Sequence, residues 1–383
     1  MTAQAISGMP GPEELDWILP LMDSSLAVTG VPDAERGNFN RLWSRCRSMS
    51  TDSAPGRVLD ASPVTDWARF QERLVYEATA EFIAAGQGTH LMFHAAGLSD
   101  LETGESIALI APSGTGKTTA SRELGQHLAY LTDETVAVAA DFSIHPYPKP
   151  LSVLPSHGRR PKIQVSPDDL GLIPPQSMPR LSRIAVLNRV HPGNGSKPGA
   201  TYRVLPLLEA LERIVPQTSS LSRLPRGLVT LCSAIQRCGG ALEINYSEAR
   251  ALPHLIAEIF RPDGHRQFQD WSPVELRPST TAGSHISLDE YERAWIRTTA
   301  NDAVLIDGVL VVLAGDRLTC LTGIAPRIWE ELSAWTTIDQ LHDRLVARFG
   351  AAPDSMSQLE KVLNNMLELG VVAKPIQTLH ESR

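Results

Sequence analysis

At 383 residues the chain is long enough for two or three domains, and its 42% hydrophobic and 20% charged residues are typical of ordinary globular proteins. A formal net charge of -8 disfavours nucleic acid as a partner, because proteins that follow phosphate backbones are usually basic. No run of about 18 apolar residues predicts a membrane span, and the four scattered cysteines fit neither a zinc site nor a disulfide framework, so we expect a cytoplasmic protein with reduced thiols and no membrane partner.

The first half of the chain predicts a strand–loop–helix–strand unit. Residues 1–65 are rich in Pro, Gly, Ser and Asp, and their weak pattern predicts neither an element nor a function. Apolar residues at helical spacing predict a helix over 67–85. There follow a predicted strand and turn in "THLMFHAAGL", a buried strand in "SIALIA", a glycine-containing turn, a helix in "TTASRELGQHL" and two short strands in "AYLTDETVAVAA". This order is the context that a phosphate-binding loop requires.

Further elements surround a long irregular stretch in the middle of the chain. Pro and Gly dominate residues 146–198, around one short predicted strand in "RIAVLNRV". Helices are predicted in "PLLEALERI", "LSRLPRGLVTLCSAIQR" and "EARALPHLIAEIF", and a strand in "ALEINYS". Residues 261–290 lose this periodicity and gain Pro, Ser, Thr and Gly, which is typical of a linker. We therefore expect one domain over 66–260 and another over 291–383.

The second predicted domain has a small sheet followed by three helices. Two apolar runs around Asp307-Gly308 are a strong signal for a two-residue hairpin, and "DRLTCLTG" can add a third strand. Three amphipathic helices follow, the second with Thr336 or Thr337 as its N-cap. A winged-helix DNA binder shares this plan, but the third helix, "MSQLEKVLNNMLELG", has one lysine and two glutamates, which disfavours DNA.

Residues 111–118, "APSGTGKT", match the phosphate-loop pattern G-x-x-x-x-G-K-[ST], except that Ala111 replaces the first glycine. Such a loop turns backbone N–H groups toward phosphates, while its lysine contacts the outer phosphates and its hydroxyl contacts Mg²⁺. The positive end of the following helix adds to the anion site. The predicted ATP-binding residues are therefore Ser113, Gly114, Thr115, Gly116, Lys117, Thr118 and Thr119. The alternative is a Gly/Ser turn that precedes a lysine by chance.

Two carboxylates and a histidine are candidates for chemistry beside this loop. Asp133 and Glu134 in "YLTDE" follow a short apolar segment, so one carboxylate can accept a proton from a hydroxyl while the other holds Mg²⁺. His94 in "FHAAG" precedes the loop by one strand and a turn. The alternatives are a solvated turn for the carboxylates and a structural role for the histidine.

Several basic residues are further candidates. In "HPYPKPLSV" Lys149 can reach an anionic group, or the segment can be a rigid crossover at the edge of a sheet. Arg183 and Arg189 flank the "IAVLN" strand, where a guanidinium can stabilise a transferring phosphoryl group or be solvated. A basic cluster, for which solvation is favoured over substrate contact, consists of Arg159, Arg160 and Lys162.

The segments "HAAG", "APSGTGKTT", "LTDE" and "HPYPKPLSV", in this order, resemble the HPr kinase/phosphorylase-like family of P-loop kinases. The resemblance covers about residues 67–260 and implies an α/β P-loop kinase core of the HPr kinase and phosphoenolpyruvate carboxykinase type. It implies that Lys117 contacts the phosphates and that Thr118 and Glu134 hold Mg²⁺. It also implies that Asp133 is the base toward a serine hydroxyl and that His94 lies near the transferred phosphate.

Three departures from that family limit the resemblance. Ala111 replaces a glycine, and Glu134 stands where the family commonly has a second aspartate, which lengthens the potential Mg²⁺ ligand by one methylene. The family's "E-x-R-G" segment is not found in the sequence, so phosphorylase reversal is not expected. Related kinases form rings, and the resemblance therefore allows a homo-oligomer.

The hairpin and three helices over about 293–373 resemble the PqqD-like peptide-recognition module, a winged-helix-like α+β domain that binds the leader of a ribosomally made precursor peptide. An extended leader can add to the open edge of a small sheet and place apolar side chains against a neighbouring helix. Tethering the leader raises the effective concentration of the acceptor residue at the kinase site. The predicted partner is therefore a precursor peptide whose leader binds 291–373.

Together these patterns predict an ATP- and Mg²⁺-dependent kinase that phosphorylates a Ser or Thr hydroxyl of a precursor peptide, of which the lasso-peptide type is one example. Two alternatives stay open. One is a small-molecule or sugar kinase whose C-terminal module mediates dimerisation. The other is a nucleotide-gated peptide-binding protein without transfer activity.

Overall fold

The computed structural model describes residues 17–46, 55–155, 158, 160–190, 199–261, 269–276 and 293–375. The chain divides into two compact units, which we call unit 1 (Met1–Leu224 with Ser233–Phe268) and unit 2 (Pro225–Cys232 with Gln269–Arg383). Both contain helices and sheets, so the chain is a mixed α/β protein with several sheets. No helix in the described ranges has the length and apolar character needed to cross a membrane.

Unit 1 begins with a small sheet packed on a long helix. Its elements are β1 (Trp17–Leu21), β2 (Ser24–Thr29), α1 (Asp33–Leu42), β3 (Arg57–Asp60) and α2 (Trp67–Gly86). β2 pairs antiparallel with β1 and parallel with β3. Buried aromatic side chains from this sheet, α1 and α2 form one hydrophobic cluster, which includes Trp17, Phe39, Trp43, Phe70 and Phe82.

The larger part of unit 1, within the described residues, consists of a nine-stranded mixed sheet, a separate antiparallel pair formed by its sixth and seventh strands in chain order, and helices. Its elements, in chain order, are β4 (Leu91–Ser99), β5 (Glu105–Ile110), α3 (Lys117–Leu124), β6 (Ala129–Thr132), β7 (Thr135–Val138), β8 (Ile144–His145), β9 (Leu151–Val153), β10 (Ile163–Val165), β11 (Arg180–Arg189), β12 (Ala200–Leu205), α4 (Leu207–Ile214), β13 (Thr218–Ser219), α5 (Gly227–Arg237, which crosses the division between units), β14 (Ala241–Tyr246) and α6 (Leu252–Ile259). The sheet order is β12-β14-β11-β5-β4-β7-β8, with β6 and β13 also paired to β4.

Three neighbouring strands of this sheet, β5, β11 and β14, run parallel, whereas β4 and β12 are antiparallel to their neighbours. Apolar side chains of α3 and α6 pack against these strands in a second hydrophobic cluster, which includes Leu109, Leu124, Leu187, Ile244 and Ile256. Ligands of open α/β sheets bind beyond the carboxyl ends of parallel strands. The carboxyl end of β5, where the loop before α3 begins, is such a position.

Besides the first residues of α5, the described part of unit 2 has two small antiparallel sheets and three helices. Its elements are β15 (Trp271–Pro273), β16 (Ala294–Arg297), β17 (Asp302–Ile306), β18 (Val309–Ala314), β19 (Arg317–Leu321), α7 (Ala325–Glu331), β20 (Thr336–Thr337), α8 (Ile338–Phe349), α9 (Ser355–Glu368) and β21 (Val372–Ala373). The sheet orders are β15-β17-β18-β19 and β20-β16-β21. Trp329, Leu341 and Leu363 belong to the hydrophobic cluster of this unit.

Two local predictions in unit 2 are confirmed. Asp307 and Gly308 both have positive φ, 47° and 81°, as the two central residues of a type I′ hairpin require, and they join β17 to β18. Thr337 caps α8 in a capping box with Gln340, in which each side chain bonds the other residue's backbone N–H.

The structure also contains elements that the sequence patterns did not predict. β1 to β3 and α1 occupy the stretch before residue 66, β9 and β10 lie in the region dominated by Pro and Gly, and β12 directly follows that region. The predicted linker 261–290 falls mostly outside the described residues. The described part of that stretch contains β15, which pairs with β17 as a strand of the four-stranded sheet.

Candidate active site

The loop between β5 and α3 is a tight turn that contains two glycines with positive φ. Gly114 and Gly116 have φ values of 85° and 100°, a region that favours glycine. Gly116 is the N-cap of α3, and a Cβ there would lie 3.0 Å from the hydroxyl of Tyr246. That hydroxyl donates to the carbonyl oxygen of Thr115 at 3.0 Å, which ties the loop to β14. The first-turn N–H groups of α3 lack intrahelical acceptors and are therefore available to an anion.

Lys117 folds back over the same loop. Its Nζ donates to the carbonyl oxygen of Ala111 and, at 3.1 Å, to that of Pro112. The side chain is buried, and this burial lowers the pKa of Lys117 to about 8 against the opposing effect of Asp133 and Glu134. A phosphate at the loop would supply the counter-charge that this ammonium lacks in the loop itself.

Asp133, at the end of β6, lies directly against the start of α3. The hydroxyl of Thr118 donates to Asp133 Oδ2 at 3.0 Å, and the hydroxyl of Tyr130 donates to Oδ1 at 3.2 Å. Tyr130 is fully buried, and this burial together with the Asp133 charge raises its pKa well above the usual value. Asp133 is itself 5% exposed, so its orientation is fixed by these partners.

Lys149 joins the two carboxylates. Its Nζ lies 2.9 Å from Asp133 Oδ1 and 2.8 Å from Glu134 Oε2. Burial acts to lower the pKa of Lys149, but the charges of Asp133 and Glu134 outweigh it and raise the pKa above its usual range. The anionic group that Lys149 reaches in this structure is therefore the carboxylate pair of the protein itself.

His94, on β4, contacts the backbone beside these carboxylates. Its Nδ1 lies 3.1 Å from the carbonyl oxygen of Glu134. Because a carbonyl oxygen can only accept, Nδ1 carries the proton, and Nε2 of the neutral ring keeps a lone pair. Burial, reinforced by the charge of Lys117, lowers the pKa of His94, with Glu134 and Asp133 acting in the opposite direction. The neutral form is favoured.

All the predicted site residues except Thr115 line one cavity of about 380 Å³. Thr115 instead bonds within the loop, since its hydroxyl donates to the carbonyl oxygen of Pro112 at 2.9 Å. The cavity brings together the loop, the two carboxylates and His94 from β4, β6 and α3. Their roles in binding or catalysis stay predictions.

The basic candidates fall into three groups. Lys149, Lys162 and Arg189 line the cavity. Arg183 is not among the residues lining it, and its Nε donates to the carbonyl oxygen of Ile259 at 3.0 Å. Arg160 pairs with Glu72 at 3.4 Å, and Arg159 lies outside the described residues.

Sequence patterns did not single out several residues at this site. Tyr130 donates a hydrogen bond to Asp133, and Tyr246 donates one to the loop. Arg122 and Ser152 line the cavity. The available signal was membership of a quoted segment, since Tyr130 begins "YLTDE" and Ser152 lies in "HPYPKPLSV".

The donors at the site fit a Mg²⁺ ion that also binds phosphates. The Thr118 hydroxyl and the Asp133 carboxylate are adjacent oxygen groups, and Mg²⁺ is usually held by one or two carboxylates together with substrate phosphates. Within the described ranges, no group of three or more His, Cys, Asp and Glu side chains is arranged to hold a metal. The donor set therefore suits a metal shared with a nucleotide better than one held by the protein alone.

Comparisons with known proteins give limited similarity. No protein-family model matches the chain, and no curated protein matches it. Among solved structures, the HPr(Ser) kinase/phosphatase from Coxiella burnetii is similar at a TM-score of 0.22 and 12% identity, over 44% of this chain and 92% of that one. A similarity of this size assigns neither the fold nor the activity of this chain.

Proposed function

We propose that the chain is a phosphotransferase that uses ATP and Mg²⁺ to phosphorylate a Ser or Thr hydroxyl of a precursor peptide. The observation that carries this proposal is the glycine turn before α3 facing Asp133 and Glu134 across one cavity. A phosphate-binding loop explains why two residues with positive φ, a buried lysine and a helix N-terminus lie together.

In this proposal the loop and Lys117 bind the nucleotide phosphates. The ammonium of Lys117 exchanges the carbonyl oxygens of Ala111 and Pro112 for phosphate oxygens, which are stronger acceptors because they are charged. Catalysis then consists mainly of positioning the two reactants and neutralising charge on the transferred group.

The two carboxylates divide metal binding and proton acceptance. Thr118 and Asp133 would hold Mg²⁺, which when bound neutralises charge on the outer phosphates. Supporting this is the hydrogen bond between Thr118 and Asp133. Glu134, whose side chain is 34% exposed, would accept the proton of the acceptor hydroxyl. The family resemblance implies the opposite division, in which Glu134 holds Mg²⁺ and Asp133 accepts the proton. We reverse it because the Thr118 hydroxyl contacts Asp133.

Unit 2 would bind the leader of the peptide. Within the described strands, β19 pairs only with β18 and forms one end of its sheet. An extended peptide can add to such an edge through backbone hydrogen bonds. Ile324, just after β19, is 39% exposed and offers an apolar contact near that edge.

A mass-spectrometric transfer assay tests the function. The full chain is incubated with ATP, Mg²⁺ and the precursor peptide encoded beside it, and we expect the mass of one phosphate to be added to the peptide. Lys117→Met should reduce transfer by about 10³-fold, because Lys117 is the cation at the loop. The matched control is Arg160→Ala, which removes a basic side chain outside the cavity and should transfer at the wild-type rate. Phosphate on a small molecule but not on the peptide would support the sugar-kinase alternative, and nucleotide binding without transfer would support the peptide-binding alternative.

Two variants test the division between the carboxylates. Asp133→Asn should weaken the dependence of nucleotide affinity on Mg²⁺, whereas Glu134→Gln should keep it and lower kcat by about 10²-fold or more. Calorimetric titration with and without Mg²⁺ measures the first effect, and the transfer assay measures the second. If Glu134→Gln rather than Asp133→Asn removes the Mg²⁺ dependence, the assignment inferred from the family resemblance is the correct one.

A further inference from the structure

The ammonium of Lys149 has no hydrogen left for a ligand. An ammonium has three N–H donors. Those of Lys149 are directed at Asp133 Oδ1 (2.9 Å), Glu134 Oε2 (2.8 Å) and the carbonyl oxygen of Pro150 (3.3 Å). Although Lys149 lines the cavity, it is 1% exposed. Its contacts therefore suit a counter-ion of the protein's own carboxylates better than a phosphate ligand.

The segment that carries Lys149 is fixed on both sides. Prolines at 148 and 150 restrict its backbone, and the N–H of Lys149 donates to the carbonyl oxygen of Tyr147 at 2.9 Å. The N–H of Tyr147 donates to Leu131 of β6 at 3.0 Å, and its ring stacks on Phe82 of α2 with centroids 4.4 Å apart. A rigid part of unit 1 thus holds the Lys149 side chain against the two carboxylates.

The ammonium occupies the position that a bridging cation would need. It lies within 3 Å of one oxygen from each carboxylate, so it offsets one of their two negative charges. A divalent cation shared by Asp133 and Glu134 would displace it. The displaced ammonium is buried and could not regain hydration, and an uncompensated buried charge is strongly unfavourable.

We propose, on the basis of the function proposed above, that Lys149 is a positioning residue that keeps the Asp133–Glu134 pair from holding a divalent cation by itself. The metal therefore enters the site only with a nucleotide, whose phosphates supply the missing ligands, while Asp133 remains oriented toward Thr118. Removing the ammonium creates a metal site that the natural protein lacks.

Mn²⁺ binding followed by electron paramagnetic resonance tests this inference, with Mn²⁺ as the probe for a Mg²⁺-like ion. The full chain is titrated with Mn²⁺ alone and with Mn²⁺ plus ATP. We expect the wild type to bind Mn²⁺ only when ATP is present. Lys149→Met and the hydrogen-bonding variant Lys149→Gln should bind Mn²⁺ without ATP at least about tenfold more tightly than the wild type, because two carboxylates lose their counter-charge.

Two controls separate the effect of Lys149 from a general change in charge. Lys162→Met removes the same charge from the same cavity, but the described ranges give Lys162 no carboxylate partner, so this variant should not gain Mn²⁺ binding. The double variant Lys149→Met/Glu134→Gln should lose the gained binding, because one of the two carboxylates is gone. Circular dichroism of each variant checks that it is folded.

Each outcome decides the inference. Gain of metal binding in the Lys149 variants alone supports it, since a purely structural lysine would lose function rather than gain a ligand. Tight binding of Mn²⁺ by the wild type without ATP overturns it, even if the Lys149 variants do not fold. Equal gain in Lys162→Met, or no gain in folded Lys149 variants, overturns it as well. A wild type that binds neither ATP nor Mn²⁺–ATP overturns the proposed function instead, while the Lys149 variants still report on the carboxylate pair.

Discussion

Gly116 and Ala111 show how single residues determine the loop. Gly116 combines a φ of 100° with close approach to Tyr246, so neither its backbone nor its surroundings accept a side chain. Ala111, where the loop pattern has a glycine, is buried and is not among the described residues with positive φ. The departure from the pattern is therefore tolerated, because glycine is required only where the backbone needs it.

Gly116→Ala should weaken ATP binding more than Gly114→Ala. Both substitutions place an alanine at positive φ, which costs about 1–2 kcal/mol. Only at Gly116 would the added Cβ also meet a neighbour, the Tyr246 hydroxyl at 3.0 Å, whereas nothing lies within 4 Å at Gly114. Calorimetric titration with ATP measures the affinities. Equal losses would mean that the contact with Tyr246 does not shape the loop.

At the scale of elements, Glu243 holds β12, β14 and α4 together. Its carboxylate, on β14, accepts hydrogen bonds from Arg203 on β12 and Arg213 on α4. β12 alternates exposed and partly buried residues, as an edge strand does, and its partners are distant in the chain. The alternation along β12 is only a weak signal for a strand, whereas the longer α2, α8 and α9 were predicted from their apolar spacing.

Glu243→Gln should lower the free energy of unfolding by about 1–2 kcal/mol at pH 7, because it removes the less exposed of the two carboxylates that Arg203 and Arg213 share and leaves these arginines only Glu209 as a counter-charge. Burial raises the pKa of Glu243, but the hydrogen bonds from Arg213 and Arg203 outweigh it and lower the pKa below the usual 4.5. The carboxylate is thus favoured in the folded state. The Glu243 carboxylate therefore makes its full contribution to the free energy of unfolding above pH 4.5. This contribution is lost as the pH falls through the folded-state pKa of Glu243.

Urea unfolding of wild type and Glu243→Gln at pH 7 and at acidic pH measures this effect, and the difference should shrink in acid. The control is Glu248→Gln, an exposed glutamate near the end of the same strand, which should change stability by about 0.5 kcal/mol or less. A difference that does not depend on pH would show that packing, not the ion pairs, stabilises these elements.

At the scale of the whole molecule, each unit contains at least one hydrophobic cluster built from its own residues. The clusters around α2 and around α3 and α6 contain residues of unit 1 only, and the cluster around Trp329 contains residues of unit 2 only. The cavity belongs entirely to unit 1. Ligand binding at the cavity should therefore act on the stability of unit 1.

When the protein is heated in a calorimeter, we expect two unfolding transitions. ATP should raise the midpoint temperature of only one of them, that of unit 1. A ligand at 100 times its Kd stabilises the state that binds it by about 2.7 kcal/mol. Trp329→Ala should lower the other transition, since truncating a buried aromatic side chain costs about 3–5 kcal/mol, and should leave the shift caused by ATP unchanged. A single transition that responds to both changes would show that the units unfold together.

The sequence by itself determined the features that depend on neighbouring residues: the glycine turn before α3, the Asp307-Gly308 hairpin, the cap of α8 and the longer helices. Only the tertiary structure decided that Thr118 contacts Asp133 rather than Glu134, that Lys149 is buried between the two carboxylates, and that the stretch before residue 66 forms a core with α2. The physical reason is that backbone preferences and apolar spacing act over a few residues. Ion pairs and burial depend instead on which distant segments the sheet places side by side.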